Sequence, residues 1–209
     1  MTDLQSRLSS LTHLGASWVL WTLIGLSILG VAIVLERIVA FLIARDDLEK
    51  LERELVSLVS AGDLEGARSR AASSRAYESW MVRAGLTTPG DAAATEQRMM
   101  AASTKAKLAM ERRLAFLGTL GSNAPFLGLL GTVVGIVRSF QALDVSGGKV
   151  SAGLMAEVGE ALVATAIGIL VALPSVAAFN TFQRMIKVRL ARAEALGRNV
   201  LAAFRPEGV

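Results

Sequence analysis

The sequence predicts an all-α membrane protein with three transmembrane helices and long helical extensions outside the bilayer. Three observations carry that expectation. The runs Leu114 to Val137 and Ala161 to Gln183 contain no charged residue. At ~1.5 Å per residue each makes a helix of roughly 35 Å, enough to cross a ~30 Å hydrocarbon core. A third run, Leu14 to Leu35, is also free of charge. Finally, 53% of the residues are hydrophobic and 19% are charged, so the chain alternates between lipid and water.

Composition narrows the chemistry. The chain has no cysteine, which excludes disulfides, thiol catalysis and thiolate metal sites. Its single histidine, His13, leaves no histidine pair for a metal and no Ser/His arrangement, so neither catalysis nor a metal or cofactor is expected. The net charge of +4 comes from basic residues concentrated beside the spans. That placement suits membrane orientation better than nucleic-acid binding.

In chain order, residues 1–13 form a short polar N-terminal segment and 14–44 the first transmembrane helix, with Trp18 and Trp21 near an expected headgroup belt. A cleaved signal peptide would need a shorter apolar run, a more basic start and a small-x-small cleavage pattern. Glu36 and Arg37 are expected to snorkel into the headgroups where the apolar run ends. Residues 45–113 read as a helical loop. Leu48, Leu51, Leu55, Leu58 and Val59 recur at helical spacing, Ala61-Gly-Asp63 breaks that helix, and Thr87-Thr-Pro-Gly-Asp91 forms a turn. From Ala92 the absence of Gly and Pro up to Gly118 predicts one long helix running into the second span, 114–137.

Residues 138–153 are the next connection, 154–183 the third span and 184–209 a C-terminal helix. Ser146-Gly-Gly-Lys149 lacks the Ser/Thr of a phosphate loop, since Val150 follows, and reads as a turn. Ser151 is placed to cap the third span and Pro174 to kink it. Basic residues number one in the N-terminal segment (Arg7) and two in Arg138 to Glu160, against twelve in 44–113 and six in 184–209. The positive-inside rule then puts the N-terminus in the periplasm and the long loop and tail in the cytoplasm.

Two spans carry a polar stripe. Gly121, Pro125, Gly128, Thr132, Gly135 and Ser139 share one helical face, as do Ala161, Thr165, Gly168, Ala172 and Ser175. Small residues allow close helix approach in lipid, and Gly131 with Gly135 adds a GxxxG spacing. In an antiparallel hairpin Thr132 and Thr165 lie at matching depth, roughly 8 to 9 Å below one membrane face. Bonding of each hydroxyl to its own helix is the structural alternative. Glu160 stands in the early turns of the third span, favoured there by the helix dipole or lining a cation path beside Thr165.

Gly121-Ser-Asn-Ala-Pro-Phe-Leu-Gly-Leu-Leu-Gly-Thr-Val-Val-Gly-Ile-Val-Arg-Ser-Phe140 and Gly159-Glu-Ala-Leu-Val-Ala-Thr-Ala-Ile-Gly-Ile-Leu-Val-Ala-Leu-Pro-Ser-Val-Ala-Ala-Phe-Asn180 resemble the signature of the MotA/TolQ/ExbB proton-channel family, and within it the TolQ and ExbB branch. Phe179 departs modestly, since the family more often has tyrosine there. The resemblance implies a ring-forming homo-oligomer, a pentamer, in the bacterial inner membrane. It implies a single-span TolR/ExbD-like partner, as a dimer inside the ring, that supplies an intramembrane aspartate, and in turn a TonB/TolA-like protein. Thr132, Thr165 and Glu160 would line the proton path, while Gly121, Pro125, Gly128, Gly131, Gly135, Gly168 and Pro174 would serve helix packing. A sodium-coupled stator and a purely structural scaffold of an envelope complex stay open as alternatives. A solute transporter would show internal repeats or broken-helix pairs, and neither is seen.

Overall fold

The computed structural model describes residues 17–87, 92–145 and 152–203. The N-terminal segment with His13, the turn residues Thr88 to Asp91, the Ser146-Gly-Gly-Lys149 turn and the Ser151 cap lie outside them. The described residues form seven helices: α1 Ser17–Ile43, α2 Leu48–Ser60, α3 Leu64–Ser73, α4 Ser79–Leu86, α5 Ala92–Glu111, α6 Leu114–Val145 and α7 Ala152–Ala203. Among the described residues there is no strand. Three helices, α1, α6 and α7, are long and apolar enough to cross a membrane. The chain divides into two compact units, one from residues up to Val34 with Arg113–Asn180, the other from Leu35–Arg112 with the residues after Thr181.

The first unit is built on the apolar parts of α1, α6 and α7. Val19, Leu23, Leu120, Ala124, Val171 and Ala172 form its buried core, with Trp18, Leu26, Phe116, Leu127 and Ile167 against it. Large apolar side chains such as Ile28, Phe126, Leu129, Leu162, Leu170 and Leu173 point outward and stay exposed. That is the inverse of a water-soluble bundle, and it is what a helix presents to lipid or to another subunit. The charge at Arg138 does not end α6. With no Gly or Pro between Arg138 and Val145, and with Arg138 paired to Glu157 of α7 at 3.5 Å, the helix runs on for two further turns to Val145. At the other end α7 is one helix through Pro174 as far as Ala203, covering the residues read as the third span and most of those read as the C-terminal helix.

The second unit is a small helical bundle. Asp47 caps α2 by accepting from the Lys50 amide at 3.1 Å, which aligns Leu51, Leu55 and Val59 on one buried face. Gly62, at φ 77°, turns the chain, and Asp63 caps α3 through the Gly66 amide at 2.8 Å. Ala67 and Ala71 of α3, Val82 and Leu86 of α4, and Leu196 and Val200 of α7 complete that core. Met81, Met99 and Ala193 form a second cluster.

Two arginines fasten this unit. Arg189 of α7 is nearly buried; it donates to the carbonyls of Ala44 at 2.9 Å and Phe41 at 3.0 Å and lies 5.0 Å over the Phe41 ring. Its Nε is 3.9 Å from the buried Glu78 carboxylate. Burial pushes the Glu78 carboxyl above its ordinary value, while its own backbone hydrogen bond, Arg189 and Arg192 pull it down. Arg37 corrects the snorkelling expectation. It is 4% exposed and donates to the Ala109 carbonyl at 3.2 Å, satisfying an orphan acceptor at the end of α5.

The expected continuous helix from Ala92 into the second span is also corrected. α5 stops at Glu111 and α6 starts at Leu114, because Arg113 adopts the left-handed conformation at φ 65°. No glycine or proline marks the break, so nothing in the local sequence announces it.

Candidate functional site

The closest approach in the first unit runs along α6 and α7, where glycine replaces any side chain that would hold the helices apart. A Cβ on Gly128 would lie 2.8 Å from the Ala164 carbonyl oxygen and 2.9 Å from the Thr165 Cα. One on Gly168 would lie 2.6 Å from the Ala124 carbonyl oxygen and 3.0 Å from the Gly128 Cα. Further along the same seam, Cβ atoms on Gly131 and Gly135 would meet Ala164 Cβ at 2.7 Å and Ala161 Cβ at 2.5 Å, and one on Gly121 would meet Val176. Backbone on backbone is how helices gain dispersion contact where lipid removes the hydrophobic drive. Pro125 is half-buried beside this seam, while Pro174 is exposed on α7.

At the middle of the seam Thr132 and Thr165 touch. Their Oγ1 atoms are hydrogen-bonded to one another. Thr132 Oγ1 also lies 3.2 Å from the Ala161 carbonyl oxygen of α7 and 3.3 Å from that of Gly128, and Thr165 Oγ1 lies 3.1 Å from the Gly128 carbonyl oxygen of α6. The own-helix bond is therefore only part of the arrangement; the pair ties α6 to α7. Two hydroxyls have two protons and four lone pairs; one proton makes the mutual bond and the other goes to a carbonyl, so three lone pairs on the oxygens remain able to accept. Both side chains are half-buried, open enough to be met from one side. A threonine does not titrate near neutral pH, so the pair can bind a proton carrier and cannot itself be one.

Glu160 lies on the same helix, five residues before Thr165. Its carboxylate accepts from the Ser17 hydroxyl of α1 at 2.6 Å. A second acid, Glu157, which the sequence did not single out, also stands by the seam, its carbonyl oxygen 3.5 Å from where a Cβ on Gly135 would be. It precedes Ala161 and Thr165 by four and eight residues, a helical spacing that was there to be read.

Three helices able to span a bilayer, two of them joined by a glycine seam that carries a hydroxyl pair, define a multi-pass membrane protein. The comparisons give the family. Residues 73–195 match the model of the MotA/TolQ/ExbB proton channel family, more than half of the chain and including both threonines, and the chain belongs to that family. The chain is 40% identical over 84 residues to the biopolymer transport protein ExbB-like 2 of Helicobacter pylori, covering 40% of this chain and 56% of that one. It is 38% identical over 94 residues to the Tol-Pal system protein TolQ of Pseudomonas aeruginosa, with 45% and 41% covered. The biopolymer transport protein ExbB of Xanthomonas campestris is 38% identical over 90 residues, with 43% and 36% covered. The match thus spans about half the length of these relatives or less. Spans and relatives together make this a multi-pass protein of the bacterial inner membrane, with a TolQ/ExbB-type subunit as its kind.

Proposed function

We propose that this chain is the channel-forming stator subunit of a motor driven by the proton motive force, working through a single-span partner to deliver force to the periplasm or outer membrane. The observation that carries the reading is the Thr132–Thr165 contact, a pair of hydroxyls on the tightest helix seam with lone pairs to spare. The titrating group then comes from the partner, a TolR/ExbD-like protein with an intramembrane aspartate, as a dimer inside a pentamer of this chain. Facing the threonines in a dry environment, that carboxyl has its pKa raised by desolvation, and alternates between neutral and charged forms as it passes successive subunits. A TonB/TolA-like protein would carry the force onward. The N-terminus and the 146–151 connection face the periplasm in this reading, and the second unit faces the cytoplasm.

The test is extraction of the chain from its native membrane in mild detergent, with mass-spectrometric identification and stoichiometry of what stays bound. A small single-span protein with an intramembrane aspartate, at fewer copies than this chain, is the expected result. A stable homo-oligomer with no such partner across several detergents would instead favour a structural scaffold.

A further inference from the structure

We propose that the cavity of the second unit between the residues that follow α1 and the face of α7 beginning at Thr181 binds the headgroup of an anionic phospholipid, its phosphodiester held by Arg45, Arg184 and Arg192. The inference goes beyond the motor reading and stands whether or not the chain moves protons.

Sequence sets the level. Arg184 is the first charged residue after the charge-free run Ala161 to Gln183, and Arg45 is the first after the apolar stretch Ile38 to Ala44. Residues so placed meet the headgroup layer when the runs before them cross the hydrocarbon. From Thr181 onward, Arg184, Met185, Val188, Arg189 and Arg192 return at spacings of three and four, so they share one face of α7. That face, with Ala44 to Asp46, Leu48 and Glu78, lines a cavity of about 470 Å³, inside the ~300–1,000 Å³ range usual for small-molecule sites.

The lining holds four arginines and two carboxylates, so positive charge is in excess. Both carboxylates are already engaged. Glu78 stands against Arg189, while Asp46 accepts from the Ser74 hydroxyl at 2.6 Å and faces Arg70 at 3.9 Å. Arg189 is engaged too, by the carbonyls of Phe41 and Ala44. Arg45 and Arg184 are exposed and have no hydrogen bond or ion pair to any described residue, and Arg192 acts on Glu78 through its charge. Three cations therefore line one cavity in which no carboxylate is left to balance them. A guanidinium presents paired N–H donors that match phosphate oxygens, and such charge-assisted bonds are the strong ones. Basic pockets beside transmembrane helices bind anionic headgroups on this principle.

The apolar surroundings select a lipid over a free anion. Val188, in the lining itself, is 45% exposed. On α1, Leu35, Ile38, Val39, Leu42 and Ile43 are all exposed at helical spacing, a stripe that leads along the chain to Arg45. Acyl chains lying on that stripe tether their own phosphate near the arginines and raise its effective concentration there. A soluble phosphate has no such tether. The excess of positive charge also favours a headgroup of net negative charge, such as phosphoglycerol, over a zwitterionic one.

The test uses the complex as purified from its native membrane, reconstituted into phosphatidylcholine vesicles that contain a small fraction of phosphatidylglycerol bearing a diazirine beside its headgroup. After illumination, mass spectrometry is expected to find the label on α7 between Thr181 and Arg192. Unlabelled phosphatidylglycerol should compete it away, while added phosphatidylcholine and inorganic phosphate should not. This arm needs no variant. Labelling confined to other segments would overturn the proposal. So would equal competition by inorganic phosphate, which would mark a site for soluble anions, or cross-linking of this segment to a protein of the complex in place of the lipid. The triple variant R45Q/R184Q/R192Q is expected to weaken capture roughly a hundredfold, the scale of three basic residues lost beside an anionic headgroup. R53Q/R75Q/R83Q removes the same charge from exposed positions elsewhere on the unit and is expected to label as the wild type does. Undiminished labelling of the first variant, or an equal loss in both, would contradict a defined site.

Discussion

The hydroxyls of Thr132 and Thr165, 33 residues apart in sequence, are hydrogen-bonded to each other across α6 and α7. Glycines at 128 and 168 make that contact possible, because they bring the two backbones close enough for short side chains to meet. The seam is thus one device: remove the small residues and the hydroxyl pair separates.

Gly168→Ala is accordingly expected to destabilise the first unit by ~1–3 kcal/mol, the usual cost of overpacking, since the new methyl meets backbone that cannot move aside. Gly159→Ala, on the same helix with nothing within 4 Å, is expected to be neutral or stabilising by up to ~1 kcal/mol through helix propensity. Thermal unfolding in detergent compares the two, and an equal response would show that the seam is not close-packed.

Arg189→Ala is expected to cost the second unit ~3–5 kcal/mol, at the lower end because its Nε stands 3.9 Å from Glu78. The substitution strands a buried carboxylate and leaves the carbonyls of Phe41 and Ala44 without their donor. Arg189→Lys recovers only part, because one ammonium lacks the fork that reaches both carbonyls. Denaturant titration of the three proteins checks the order.

Glu78 sets a pH dependence. Burial raises its pKa in the folded protein, so the folded state holds the proton more tightly than the unfolded one. The resulting stabilisation is fully present below the unfolded value, near 4.5, and is lost as pH rises through the folded value. Glu78→Gln should therefore flatten the melting temperature across the window that starts near 4.5 and extends upward. Arg189 keeps its two backbone carbonyls in that variant but loses the Glu78 counter-charge, so the comparison is of the pH dependence and not of the absolute melting temperature. Identical pH profiles for the two proteins would contradict this.

The fold class was legible because charge-free runs of that length have one economical use, and the α2 stripe of Leu51, Leu55 and Val59 because its period is local. What was missed depends on contacts distant in sequence. Arg37 looked like an interfacial charge because its acceptor, the Ala109 carbonyl, lies 72 residues on. The continuation of α6 past Arg138 was not legible because the partner Glu157 sits on the next helix. The break at Arg113 has no compositional mark at all. At the site, helical spacing pointed to Thr132 and Thr165, whose mutual contact the structure shows, while the Glu157–Arg138 pair was not singled out because its partners lie on different helices.

The central claim is that the paired hydroxyls serve proton movement, and proton uptake by vesicles carrying the native complex measures it most directly. Thr132→Val and Thr165→Val keep the shape and remove the hydroxyl, so each is expected to slow uptake at least about tenfold, equivalent to ~1.4 kcal/mol at the barrier. Thr132→Ser and Thr165→Ser keep the hydroxyl and are expected to retain most of the rate. Wild-type uptake in both valine variants, in complexes that assemble normally, would contradict the account and leave the threonines as packing residues.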